Sequence, residues 1–355
     1  MEFPITVKRS IELLGLFLAG TIVVLGNTVI MPLIMAFFFS LVLLPVFRFF
    51  RKWKFPEAIA IFLPILLLTV FMGLIMWLFY SQVSALVDDF PQIQHTVNKH
   101  LDNLSIWISN SFGLSPAEQL NFVNEQSSKL FSSMGSLLRG AAGSLSGALI
   151  FLALLPVYIY LILLYRNVFL KFVLMWFRKT EHDNVEDSIR QTEKIVKSYL
   201  IGLLIQITYI IILLGGVLML FGIKNALLIG LLFALLNLIP YLGALIGNIL
   251  GVLITLASSE NITDILVVLG AITFVQLLDN NILMPRIVGS QVKINPLASI
   301  VGIIAAGSMA GLSGMFLAMP VLSVLKIVFD HSVQYKQWGY LLGDERPVKS
   351  PIKAG

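Results

Sequence analysis

From Phe274 to Val328 the chain reads FVQLLDNNILMPRIVGSQVKINPLASIVGIIAAGSMAGLSGMFLAMPVLSVLKIV. An apolar segment that begins near Ile262 runs into Gln276, Asp279, Asn280 and Asn281, and Pro285 and Arg286 close it. A short polar loop carries Lys293 and Asn295. Pro296 then opens a second apolar run, interrupted by Gly307, Ser308, Gly311, Ser313 and Gly314. An ionisable residue in or beside a membrane segment is costly to keep and marks a candidate functional site. A glycine break at membrane depth is tolerated only where protein or a water-filled cavity covers the freed backbone groups. The two features together point to a solute or ion pathway.

The rest of the chain has the same character. Of 355 residues, 58% are apolar and 12% charged, with a mean hydropathy of +0.93. A soluble domain carries roughly 25% charged residues, and several runs here exceed the ~20 apolar residues that cross a bilayer. The expected fold is all-α: a polytopic helical membrane protein. The net charge of +5 reflects Lys and Arg gathered at helix ends and is no nucleic-acid footprint. Cysteine is absent, which excludes a disulfide framework, a thiolate metal site and a Cys nucleophile. His95, His100, His182 and His331 are scattered, and none forms a His-x-x-x-His zinc pair. Gly143-Ser144-Leu145-Ser146-Gly147 has Leu where a nucleophile elbow needs Ser. No phosphate-binding loop is present. The chain therefore reads as a transport protein driven by a gradient, with no enzymatic activity, cofactor or metal.

Charge sets the topology. Lys8 and Arg9 precede a first helix, about 11–30, that runs too far for a signal peptide and lacks a small-residue cleavage site. A break is expected at Pro32, then a second run to Phe47, then Arg48, Arg51, Lys52 and Lys54, a cytoplasmic cluster by the positive-inside rule. A third crossing, about Glu57 to Tyr80, leads outward. Residues 81–139 are polar, with Val83, Leu86, Phe90, Ile93, Val97 and Leu101 at helical spacing, and Ser115-Pro116-Ala117-Glu118 makes a helix start. They read as a helical hairpin outside the membrane, packing on its own protomer, touching a second subunit or capping the pathway. A fourth crossing, about 149–165, ends at Arg166. The charged stretch to Lys197 is a cytoplasmic linker helix, with i,i+4 pairs expected at Glu186–Arg190 and Glu193–Lys197. Trp176 and Phe177 beside Arg178 and Lys179 place its start along the membrane interface. A fifth crossing runs from Ser198 to Phe221.

Ala226 to Ala257 is interrupted at Asn237, Pro240, Tyr241 and Gly243. Each half is about 15 residues, or about 22 Å at 1.5 Å per residue, too short for the ~30 Å hydrocarbon core. Its two ends fall outside by charge, whereas both ends of the 296–328 run fall inside, with Lys326, Lys336, Arg346, Lys349 and Lys353 keeping the C-terminus cytoplasmic. Each run must therefore turn back, with tips near Pro240 and near Gly311. The expected architecture is about six full crossings, two broken or re-entrant hairpins and the extramembrane hairpin. Its expected divisions are a scaffold (1–80), the outer hairpin (81–145), a crossing with linker helix (146–197), a transport core (198–330) and a cytoplasmic tail (331–355).

Paired Gly/Pro-interrupted segments are the sequence pointer to a transporter's binding site. Asp279 is the first candidate, for a cation or proton, against an ion pair with Arg286 or Lys293. Gln276, Asn280 and Asn281 offer oxygens or hydrogen bonds to a solute, against plain interhelical bonding. Asn237, Pro240 and Tyr241 expose half-helix ends, against a packed kink. Arg286 and Asn295 complete the candidate set. Gly243, Gly307, Gly311, Gly314 and Pro320 are candidate hinges, with close helix packing as the alternative for the Gly243, Gly247 and Gly251 series and for Gly307 and Gly311. A membrane scaffold that binds a partner through the outer hairpin remains an alternative to transport.

Three stretches carry a resemblance: Leu235-Leu236-Asn237-Leu238-Ile239-Pro240-Tyr241-Leu242-Gly243, the run from Gln276 through Asn280-Asn281 to Pro285-Arg286 and Gly289, and Val292-Lys293-Ile294-Asn295-Pro296-Leu297. Pro32, Pro45 and Tyr158-Ile159-Tyr160 before Arg166 fit as well. In these the chain resembles the autoinducer-2 exporter-like (AI-2E) family of bacterial membrane transporters, over nearly its whole length. Members often carry Glu where this chain has Asp279, and His where it has Asn295. The resemblance implies export of a small polar solute of the autoinducer-2 type, a quorum-sensing signal, or alternatively Na⁺(Li⁺)/H⁺ antiport. It also implies a multi-pass protein of the bacterial inner membrane and a homo-oligomer, a pentamer.

Overall fold

A computed structural model describes residues 4–112, 145–240, 242–287, 294–332 and 334–344. Among them all regular structure is helical. The principal helices are α1 (Ile5–Leu25), α2 (Asn27–Lys52), α3 (Glu57–Asp88), α4 (Phe90–Phe112), α5 (Leu145–Leu164), α6 (Arg166–Met175), α7 (His182–Ile210), α8 (Ala226–Leu236), α9 (Leu242–Ser258), α10 (Ile262–Leu278), α11 (Pro296–His331) and α12 (Lys336–Leu342). Among the described residues five helical stretches are long and apolar enough to cross a bilayer, and α5, bent against α6, brings the number up to six. The chain is thus an all-α polytopic membrane protein. It divides into two compact units, Met1–Leu68 with Phe151–Gly202 and Ile287–Gly355, and Thr69–Ile150 with Leu203–Arg286.

In the first unit the break between α1 and α2 falls at Gly26, not at Pro32. Pro32 and Pro45 both lie inside α2, where Met35, Phe38, Phe39, Val42 and Phe47 are buried. Packing of that apolar face holds the helix through positions where a proline removes a backbone hydrogen bond. The Arg48 guanidinium makes two bonds to Glu193, of 2.9 and 3.3 Å. Glu193 is thus engaged by α2 rather than by Lys197 as its spacing suggested, while Glu186–Arg190 forms as expected at 3.4 Å. The linker helix and the fifth crossing are one continuous helix, α7.

α11 is not a straight rod. Ala310 (φ −145°, ψ 22°) and Gly311 (φ 59°, ψ −142°) break it. A Cβ on Gly302 would stand 2.5 Å from Leu322, one on Gly307 would meet Met315, and one on Gly314 would meet the Ala306 carbonyl. In a straight helix residues 302 and 322 would stand about 30 Å apart at 1.5 Å per residue. The helix therefore folds back on itself at 310–311 as an antiparallel hairpin, with glycines where its arms touch. Pro320, expected as a kink, is buried within the second arm, and the non-helical backbone lies at Ala310 and Gly311 instead. The base of the hairpin is capped by Asn295, whose side chain accepts from Ala298 N–H at 2.8 Å and donates to the Leu341 and Gly343 carbonyls at the end of α12.

The second unit has its core in Leu214, Leu218, Leu228, Ile229, Phe233, Val268, Ile272 and Val275. Val83 and Leu86 of α3 and Ile93 of α4 join it. Val83, Leu86 and Ile93 of the expected amphipathic face are thus buried in their own unit, with Val97 packed partly against it. The helix is described as far as Phe112, and the rest of the expected outer hairpin, with its Ser115 start, lies outside the described residues. α8 and α9 form the other hairpin. Gly247 of α9 faces Phe233 of α8, and Gly251 faces Ile229 of α8 and Ile272 of α10, so the arms run antiparallel and a side chain at either glycine would collide.

Candidate functional site

Asp279 is the one charged residue among the buried side chains described, at 2% exposure. It stands at the end of α10, where the helix widens into a π-helical turn, Asp279–Leu283. Its carboxylate accepts three hydrogen bonds, all from neutral groups. Gln206 Nε2 of α7 donates to Oδ2 at 2.9 Å. Asn237 Nδ2, at the end of α8, donates to the same oxygen at 3.0 Å. The Tyr209 hydroxyl donates to Oδ1. All four residues belong to the second unit.

Each is put there by local structure. Gln206 and Tyr209, three apart on α7, share a face, and that helix passes directly into another π-helical turn, Ile211–Gly215. Such turns are rare and are found most often at functional sites. Asn237 ends α8 as the chain enters the hairpin tip, with Leu238 N–H bonded to Leu235 O and Ile239 N–H to Leu236 O. Gly243 faces the Asn237 backbone so closely that a Cβ there would overlap it. The glycine lets the second arm close onto the tip, and the tip presents Asn237 to the carboxylate.

Two acceptors at this place have no partner among the described atoms. Gln206 Oε1 and Gln276 Oε1 are both buried without a hydrogen bond. Gln276 precedes Asp279 by three positions, so it shares that face of α10. Among the described residues Asp279 forms no ion pair. Arg286, its expected alternative partner, is exposed, and Lys293 lies outside the described residues. The arrangement is a buried carboxylate held by neutral donors beside two free carbonyl oxygens, suited to a polyol, a proton or a monovalent cation.

The other expected residues distribute as follows. Asn280 and Asn281 are exposed, and Asn281 Nδ2 bonds back to Leu277 O at 2.9 Å, a helix-internal contact. Pro240 is half-buried at the tip, and Tyr241 lies outside the described residues. Asn295 belongs to the first unit, where it caps α11. Gly307, Gly311, Gly314 and Pro320 belong to the same unit. Gln206 and Tyr209 were not among the expected residues. Two polar side chains three apart inside the apolar run 198–221 were the available signal.

Two antiparallel broken hairpins and, among the described residues, one buried carboxylate in an all-helical membrane protein are the pattern of a membrane transporter. The AI-2E family transporter profile matches residues 13–334, and the chain belongs to that family. It is similar to YrrI of Bacillus subtilis (24% identical over 320 residues, 87% of this chain and 88% of that one). It is also similar to YhhT of Escherichia coli K12 (26% over 359 residues, 98% of each). The AI-2 transport protein TqsA of the same organism is 25% identical over 320 residues, 89% of this chain and 90% of its own.

Proposed function

We propose that the chain exports a small polar solute of the autoinducer-2 type, driven by a gradient, with Asp279, Gln206, Tyr209 and Asn237 as the binding centre. The observation that carries this is the buried carboxylate whose partners are all neutral donors. An ion pair would hold such a group permanently. Amide and hydroxyl donors can be exchanged for the hydroxyls of a polyol at little net cost, because one hydrogen bond replaces another. Similarity to TqsA supports the substrate class. The Lys/Arg distribution supports a bacterial inner-membrane protein with both termini cytoplasmic, and family resemblance supports a pentamer.

A second reading, Na⁺(Li⁺)/H⁺ antiport, is favoured by the two unpartnered oxygens, Gln206 Oε1 and Gln276 Oε1. With one carboxylate they would form a neutral oxygen cage around a monovalent cation, and hard cations take oxygen ligands. One experiment separates the readings. Purified protein is reconstituted in vesicles and given labelled autoinducer-2 in one arm and a Na⁺ or Li⁺ gradient with a trapped pH dye in the other. Solute flux lost in Asp279→Asn supports export. Cation-dependent proton flux lost in that variant supports antiport. No flux of either kind from folded protein overturns both and leaves the scaffold alternative.

A further inference from the structure

We propose that the segment from Arg166 to Lys179 is an interfacial anchor that lies along the cytoplasmic membrane surface and binds the headgroups of anionic lipids. α5 is a 20-residue apolar helix, about 30 Å long and sufficient to cross the bilayer without help. The chain then bends by 63° between Ala153–Leu164 and Arg166–Met175. α6 is therefore not needed for the crossing and departs from its direction.

The level of the bend is set by Arg166. Its guanidinium donates to Glu57 at 3.0 Å and to the Leu163 carbonyl at 2.7 Å, and it sits 4.6 Å from the centre of the Phe47 ring. Phe47 and Glu57 flank the cation cluster Arg48, Arg51, Lys52 and Lys54, which the positive-inside rule assigns to the cytoplasmic boundary. The elbow is tied to that boundary, and α6 turns off along it.

α6 then buries none of its residues. Val168, Phe169, Phe172, Met175, Trp176 and Phe177 are all exposed. At 100° per residue Asn167 and Lys171 share one narrow strip, Phe169, Phe172 and Val173 lie on the broad apolar face opposite it, and Val168 and Met175 stand at its edge. Such a helix lies in the plane of the interface with its apolar face in the acyl boundary. Lys171, Arg178 and Lys179 are exposed, and no carboxylate occurs from Ala153 to Thr180. Glu57 pairs with Arg166 and Glu181 accepts from the Arg178 N–H at 3.3 Å, so the surface presented to the headgroups by Lys171, Arg178 and Lys179 is net cationic, which selects an anionic leaflet.

The chain has no cysteine, so single-site labelling needs no prior substitution. Nitroxide labels on Asn167→Cys, Phe169→Cys and Phe172→Cys would be read for collision with oxygen and with a water-soluble nickel chelate. The full-length protein would be placed in phosphatidylcholine vesicles and in equal parts phosphatidylcholine and phosphatidylglycerol. The expected result is oxygen access at 169 and 172, nickel access at 167, and deeper immersion at 169 and 172 when phosphatidylglycerol is present. Added salt and the variant Lys171→Gln/Arg178→Gln/Lys179→Gln should both abolish that deepening. Preference for spin-labelled phosphatidylglycerol over phosphatidylcholine should fall about five-fold per cation removed. Nickel access at all three positions would overturn the anchor. Identical behaviour in the two vesicle types would overturn the lipid selectivity. Dipolar broadening between copies at 172 would show a second copy on this face and overturn the lipid as its occupant.

Discussion

Asp279 gathers its neighbours because a carboxylate removed from water must recover hydrogen bonds elsewhere. It does so from Gln206, Tyr209 and Asn237, three neutral donors on two other helices. Replacing it with Asn turns one acceptor oxygen into an NH₂ that faces groups already donating. We expect Asp279→Asn to lose transport by at least about ten-fold and to cost about 1–3 kcal/mol of stability, read as vesicle flux beside a thermal melt in detergent. Retained flux would remove Asp279 from the site. Tyr209→Phe deletes one donor to the charge while keeping the ring. A hydrogen bond to a charged group contributes about 1.5–3 kcal/mol, so the variant should lose about that much stability, read as a lower melting temperature in detergent. An unchanged melting temperature would make Tyr209 a packing residue only.

The two hairpins depend on close approach of their arms. Gly311 has φ 59° and ψ −142°, a region that side chains other than glycine's rarely enter. Gly311→Ala should cost about 1–3 kcal/mol, seen as a lower melting temperature. Gly15→Ala, with nothing near its added methyl, is the neutral control. Equal melting temperatures would show that the turn relaxes. At the other hairpin, α4 meets the loop before α10. Lys99 pairs with Glu260, and His100 donates from Nε2 to the Ser259 carbonyl at 2.9 Å. The Lys99 ammonium, by its hydrogen bond and then its charge, holds the Glu260 carboxyl below its ordinary value. A depressed carboxylate contributes stability above its unfolded-state value and loses it as pH falls through the folded value. Docking of residues 90–104 should therefore be insensitive to pH from neutrality down to the ordinary carboxylate range and weaken only below it. Hydrogen exchange across that helix at descending pH checks this. Loosening near neutrality would show that the pair does not hold the helix. Both groups are exposed, so salt should also weaken the pair.

At the scale of the whole chain, the Lys and Arg distribution predicts the membrane sides. In intact cells a membrane-impermeant thiol reagent should label Asn103→Cys and spare Lys54→Cys, and the reverse pattern would invert the topology. Composition and hydropathy by themselves determined the all-helical membrane class, because a chain 58% apolar with runs of such length has no other way to satisfy its backbone in lipid. The hairpin tips near Pro240 and Gly311 were also legible, since a segment too short to cross twice and broken in the middle must return. Asp279 could be picked out as a rare carboxylate at the edge of an apolar run. Its partners could not. Gln206 lies 73 positions away and Asn237 42, and a polar residue on an apolar helix carries no mark of which distant helix it will face. The same limit moved the first break from Pro32 to Gly26, and gave Glu193 to Arg48 in place of its local neighbour Lys197. Local spacing reports what a helix can do alone. Which side chains meet across helices is decided by how their faces pack, and only the tertiary structure holds that.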